Sequence, residues 1–305
     1  MEIDKFLALE TVEIAQLMQS TGPKVCALIF NGTRRWFVLE HAKNSGQLTS
    51  KYIEETSKRL IEICKMLFEH GIDTLVLPML NSHIMKRGEQ YLQVAASALK
   101  QVATHSRYLD FYKDYQVRAR FYGQYHECLA TTSHAHLSHL FDQLTEKTLN
   151  HTQYRIFWGI CADDAIEAIT QMAIDYASKH AIVPNKEKLI ELYYGEPIPE
   201  IDLFLNSGKP HVSDVPLISL YKESLYFSVA PLPYLNQRQL RLILHDLLFA
   251  RNYHEGGYEK LTEEKLNTLH KFYHLNLENT LGVGVHNTEW GVWHPTPQLF
   301  LLDDA

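Results

Sequence analysis

Short apolar runs alternate along this chain with longer stretches in which apolar residues recur at helical spacing. The run VCALIF at 25–30 contains no polar residue, the pattern of a strand covered on both faces. A polar segment, NGTRRW at 31–36, follows at once and reads as a loop. Over 52–70, Ile53, Leu60, Cys64, Leu67 and Phe68 keep near-helical spacing, and Gly71 supplies the stop. The same reading predicts strands at 74–77, 117–122, 155–160, 201–205 and 225–230, and helices at 87–104 and 163–179. Asn236 is expected to cap a helix running to Arg251. Strands separated by amphipathic helices predict an α/β layer fold with a mainly parallel sheet.

Composition narrows this picture. Only 14 glycines and 11 prolines among 305 residues leave little material for a long flexible linker. With no internal repeat or composition break, residues 1–281 read as one domain, and the aromatic, turn-rich segment 282–305 as a C-terminal extension. The excess of 36 acidic over 29 basic residues, a net charge of −7, argues against a surface that tracks nucleic acid or anionic lipid. It leaves room for a local cationic pocket. The first residues, MEIDKFLALE, lack the basic start and apolar stretch of a secretory leader. No apolar run approaches the ~20 residues of a membrane span. Cys26, Cys64, Cys128 and Cys161 form no C-x-x-C pair and are expected as reduced thiols in a cytoplasmic protein.

In open α/β sheets ligands gather at the carboxyl ends of the strands, which directs attention to the loop after 25–30. There Gly32 permits close backbone approach, and Arg34 and Arg35 offer forked, charge-assisted hydrogen bonds to phosphate oxygens. Trp36 is expected as an apolar wall beside that charged head. Three other patterns carry less. Asp163, Asp164 and Glu167 match an aspartate-rich metal motif, but acids in the first turn of a helix are favoured by its dipole. His134, His136 and His139 lie in a polar stretch expected to be a solvated loop rather than a zinc site. Gly282 and Gly284 lack the third glycine of a dinucleotide fingerprint.

The segment PKVCALIFNGTRRW resembles the opening strand and diphosphate-gripping loop of the cis-prenyltransferases, the undecaprenyl diphosphate synthase family. GTRRWF, KMLFEHGI, FYGQY, YYGE, SLYFSVAP and LRLILHDLLFAR extend the likeness to nearly the whole chain, and bring it nearest to a divergent, tuberculosinyl-transferring branch. The resemblance implies a central, mainly parallel sheet flanked by helices, and a homodimer. It also implies an enzyme that ionises an allylic diphosphate, of the C20 bicyclic kind, and captures the cation with water or adenosine. Carried over residue by residue, Gly32, Thr33, Arg34, Arg35 and Arg87 would hold the diphosphate. Tyr52 and Tyr91 would line the reacting centre, with Asn81 in the second polar loop beside the substrate.

Two departures qualify the likeness. The segment from Asn206 to Ser213, NSGKPHVS, lacks the arginines with which elongating members bind a second diphosphate, so chain elongation is not expected. Asn31 stands where the family carries an aspartate expected to hold Mg²⁺ or take a proton. Asparagine keeps a carbonyl oxygen but has no charge and is no base. Mg²⁺ is therefore an expectation tied to that substitution, and a noncatalytic accessory subunit of the same fold is the alternative reading.

Overall fold

The computed structural model describes residues 1–41, 50–81, 88–213, 215–251 and 261–296. Two helices, α1 (Ile3–Leu7) and α2 (Thr11–Ser20), open the chain, and α2 starts in a capping box between Glu10 and Glu13. Then follow β1 (Val25–Leu28), α3 (Thr33–His41), α4 (Ser50–Glu69), β2 (Thr74–Leu80), α5 (Glu89–Thr104), α6 (Ser106–Asp114) and β3 (Val117–Tyr122). The middle of the chain forms α7 (Tyr125–Ala130), α8 (His136–Lys147), β4 (Tyr154–Ile160), α9 (Ile166–His180) and α10 (Lys186–Tyr194). Last come β5 (Leu203–Ser207), β6 (Ser224–Ser228), α11 (Gln237–His245), α12 (Glu263–Leu275), β7 (Gly284–Asn287) and β8 (Val292–Pro295).

Strands β1 to β6 form one sheet in the order β3-β4-β2-β1-β5-β6, parallel at every pairing. The fully apolar β1 has its explanation here, because successive residues face opposite, equally dry layers. Cys26 and Leu28 join the core beneath α4, α5 and α6, whereas Val25 and Ala27 join the core beneath α10. Aromatic stacking reinforces the larger layer, Phe68 on Tyr154 and Phe121 on Phe141, each with ring centres 4.2 Å apart. The chain leaves β1 toward β2 on one side and returns through β5 on the other. Connections from these two neighbouring strands therefore diverge and open a crevice at their carboxyl ends.

Several sequence expectations need correction. The 31–36 segment is a loop only to Gly32, since α3 begins at Thr33. The histidine-rich stretch is helical from His136, because Leu137, Phe141 and Leu144 bury one face. Among the described residues no group of three or more histidines, cysteines or acids is placed to hold a metal. The helix expected from Asp163 starts at Ile166, and Asp164 lies in the left-handed region (φ 60°), so neither aspartate is in its first turn. Asn236 does cap α11, accepting from the Gln239 N–H at 2.9 Å, and the helix continues as a wider π turn over Asp246–Ala250.

The expectation of four free thiols holds for buried Cys26 and Cys64, whose pKa values burial pushes up. Cys128 and Cys161 form a disulfide, with Cα atoms 6.5 Å apart, because α7 folds over the end of β4. The segment 282–305 contains the antiparallel β7–β8 hairpin, a separate two-stranded sheet. No helix among the described residues is long and apolar enough to cross a membrane.

Gly123, which ends β3, has φ +95° and is pressed against the end of β4. A Cβ there would stand 2.3 Å from the Ile160 carbonyl oxygen and 3.0 Å from Ala162 backbone atoms. Gly123→Ala is expected to lower stability by at least about 2 kcal/mol, read from urea unfolding, since the backbone conformation and the overlap both penalise it.

Candidate functional site

A cavity of about 570 Å³ opens at the carboxyl ends of β1, β2 and β4, within the range of small-molecule sites. Its polar mouth is formed by the turn from Asn31 to Arg35, with Asn81, Asp163, His211 and Ser213. Behind the mouth the lining becomes apolar: Leu60 from α4, Met79 and Leu80 from β2, and Val94, Ala95, Ala98, Leu99 and Val102 from α5. The helical spacing of the α5 residues puts them on one face, and its two alanines leave the space a larger side chain would fill. Tyr108 closes part of the apolar end and, fully buried, has its phenol pushed up by desolvation.

The mouth is built where β1 runs into α3. Gly32 adopts φ +77°, and a Cβ there would meet Pro231 Cβ at 2.7 Å and Pro231 Cα at 3.0 Å. The segment after β6 is thus packed on the loop, and the Leu232 N–H donates to the Asn31 carbonyl at 3.3 Å. Thr33, Arg34 and Arg35 begin α3, and their N–H groups have no hydrogen-bond acceptor among the described residues. Both arginine side chains are exposed and without an ion pair among the described residues. Helix dipole, free N–H groups and two guanidiniums favour a bound anion.

Tyr52 projects from the first turns of α4 into this mouth, its hydroxyl 2.8 Å from Thr33 Oγ1 and its ring edge-on to Phe37. Burial pushes its phenol up, with the Thr33 hydrogen bond and the Arg34 charge opposing. It therefore enters the site as a hydroxyl.

Asn31 has a different surrounding from the one its place suggests. Its Nδ2 donates to Asn206 Oδ1 at 2.7 Å and to the Ser207 carbonyl at 3.1 Å, while its Oδ1 accepts from the Ser207 hydroxyl. Asn206 Oδ1 also accepts from the Ser207 N–H at 2.7 Å, which fixes that oxygen as an acceptor and the facing Asn31 atom as a donor. Asn206 Nδ2 donates to the His211 carbonyl at 3.1 Å. The amide of Asn31 is thus tied across the crevice to β5.

The structure brings Asn31, Gly32, Thr33, Arg34, Arg35, Tyr52, Tyr91 and Asn81 to one cavity. Trp36 is not on its wall: the ring is 7 % exposed and sits edge-on to His41. Once Thr33 starts a helix, Trp36 and Phe37 turn inward while Arg34 and Arg35 stay outside. Arg87 lies outside the described residues. Asp163, read as a capping acid, is the one carboxylate among the described lining residues. Asn206, Ser207 and His211 were read only as part of a segment that lacks arginines, and Pro231 was not read as a site residue.

The family model for putative undecaprenyl diphosphate synthase matches residues 29–253. The chain is 35% identical over 292 residues to the tuberculosinyl adenosine transferase of Mycobacterium tuberculosis, covering 95% of this chain and 96% of that protein. It is 24% identical over 239 residues to the (+)-kolavelool synthase of Herpetosiphon aurantiacus, covering 77% and 78% respectively. Among solved structures, lavandulyl diphosphate synthase from Lavandula x intermedia, in complex with dimethylallyl diphosphate, superposes with a TM-score of 0.61 at 14% identity, over 78% of this chain and 99% of that one. A probable undecaprenyl diphosphate synthase from Campylobacter jejuni gives 0.55 at 18%, over 76% and 97%. These two share the fold. The matched family region starts just after β1 and holds β2 to β6 and the residues that line the cavity, and the chain belongs to the cis-prenyltransferase family.

Proposed function

We propose that the protein is a terpenoid enzyme that ionises an allylic diphosphate, of the C20 bicyclic class, and captures the resulting cation without chain elongation. The observation that carries this is the continuity of one cavity from a cationic mouth to an apolar interior, matching an anionic head on a hydrocarbon body. The diphosphate would lie on the N–H groups of Thr33, Arg34 and Arg35, with the two guanidiniums closing on its oxygens. The carbon–oxygen bond breaks with its electron pair leaving on the diphosphate, which that positive field stabilises as charge develops. Tyr52 and Tyr91 offer aromatic faces and hydroxyls to the cation and to the incoming nucleophile. The neutral Asn206–Ser207 pair, already engaged with Asn31, gives a second diphosphate no guanidinium, which supports capture by water or adenosine over elongation.

The residues at Asn31 do not fit Mg²⁺. Both N–H groups of its amide point at β5 and its oxygen already takes a hydroxyl, so it offers neither charge nor a free carboxylate. The same saturation of Asn31 is what favours the second reading, an accessory subunit that keeps the fold and binds without turnover.

Incubating the protein with linear and bicyclic C15 and C20 diphosphates, with and without Mg²⁺ and adenosine, and following diphosphate release by mass spectrometry separates the two. Release with a terpenoid alcohol or adenosine adduct is expected; binding without release in every arm would leave the accessory reading. Arg34→Ala and Arg35→Ala are each expected to weaken capture of the diphosphate about 10- to 100-fold, as loss of a charge-assisted hydrogen bond of about 1.5–3 kcal/mol requires. Asn31→Asp is expected to lower stability by about 1–3 kcal/mol rather than to restore a lost function, because its carboxylate would face the Asn206 and Ser207 oxygens. Two facing acceptors raise that carboxyl's pKa, and its neutral form can still donate one hydrogen bond. The destabilisation is therefore small at acid pH and grows as pH rises through the raised value, which urea unfolding across pH would reveal.

A further inference from the structure

We infer that His211 is the general base of the capture step, taking the proton that an aspartate at position 31 would otherwise receive; this rests on the functional reading above. His211 lines the cavity mouth on the segment after β5, next to Asn31 through the shared partner Asn206. Its Nδ1 lies 2.9 Å from the Lys209 carbonyl, which can only accept, so Nδ1 carries a hydrogen and the neutral ring leaves its lone pair on Nε2. Asn206 Nδ2 is 3.5 Å from Nε2 and gives its better hydrogen bond to the His211 carbonyl at 3.1 Å, so it holds that lone pair weakly. Lys209's carbonyl thus sets the tautomer from within the same loop.

The other polar groups of the mouth are poorer candidates. Asn31 is no base and its amide is engaged. Tyr52 is held as a hydroxyl by burial. Arg34 and Arg35 on α3 carry positive charge on the diphosphate side. Asp163 follows β4, on the far side of β2 from Asn31. Lys209 stands on the imidazole's own loop. Tyr91 on α5 and the deeper Tyr108 add phenol hydroxyls, which completes the charged and titratable groups of the described lining and of the His211 loop.

A water oxygen bonds to the allylic carbon, diphosphate departs with the electron pair of the broken carbon–oxygen bond, and the water proton passes to His211 Nε2. Capture by an adenosine ring nitrogen that bears no hydrogen releases no proton and needs no base. His211 therefore acts on the alcohol-forming branch and not on ring-nitrogen alkylation.

The test measures kcat, KM and product ratio against pH for the full-length protein and for His211→Ala and His211→Gln, with affinity for inorganic diphosphate as the check on an intact mouth. Alcohol formation is expected to fall about 100-fold or more in both variants, with diphosphate affinity kept and the acid limb of the kcat profile lost. Free imidazole should restore part of the rate to His211→Ala, and any ring-nitrogen adduct should rise as a share of product. Wild-type kcat or an unchanged acid limb in the variants would overturn the assignment. Loss of diphosphate binding without imidazole rescue would overturn it equally, in favour of a structural role. Absence of turnover by the unmodified protein would sink the functional reading, and this inference with it.

Discussion

The hydrogen bonds between Asn31 and the Asn206–Ser207 pair are the constraint on which the site's geometry depends. They join the turn after β1 to the last residues of β5, two strands whose connections depart in opposite directions, and so hold the crevice at a fixed width. Each donor in the set faces an acceptor, and that complementarity makes the cluster neutral as well as stiff. The positive charge of the α3 N-terminus and its two arginines stands beside a cluster that itself contains no carboxylate. The charge that matters is set by a few side chains at one turn, while the chain as a whole is acidic.

Cradle and clamp also divide the work of the cavity. The α3 N-terminus and its arginines present positive charge, and the α4 and α5 faces present apolar side chains. Tyr52 stands at the seam, bonded to Thr33 on the polar side and packed on Phe37 on the other. At that seam an aromatic ring and a hydroxyl are both within the lining. Fold membership alone would not have placed them so; the side chains do.

Much of the sheet was legible because its strands are buried on both faces and so read as unbroken apolar runs. Helices hidden in mixed composition were harder. α8 escaped notice since His134, His136 and His139 drew attention away from Leu137, Phe141 and Leu144, and α3 because a strongly polar first turn reads as loop. Arg34, Arg35, Tyr52 and Tyr91 were readable through motif likeness, whereas Trp36 was misplaced by reading as loop a segment that turns helical at Thr33. The Asn31 network depends on β1 lying beside β5, an adjacency between strands far apart in sequence that no window of residues displays. The Cys128–Cys161 link was hidden for the same reason, since it spans elements that meet only in the folded chain.

The packing of Pro231 on Gly32 also bears on how the protein is made. The Gly32 turn follows the first strand synthesised, yet the side chain that backs it comes about 200 residues later, and β5 not much sooner. At roughly 5–20 residues per second, the turn waits on the ribosome for about 10–40 s without its backing. Through that interval Gly32 and the two arginines form an open, mobile cationic stretch. The cavity mouth is among the last features of the domain to exist.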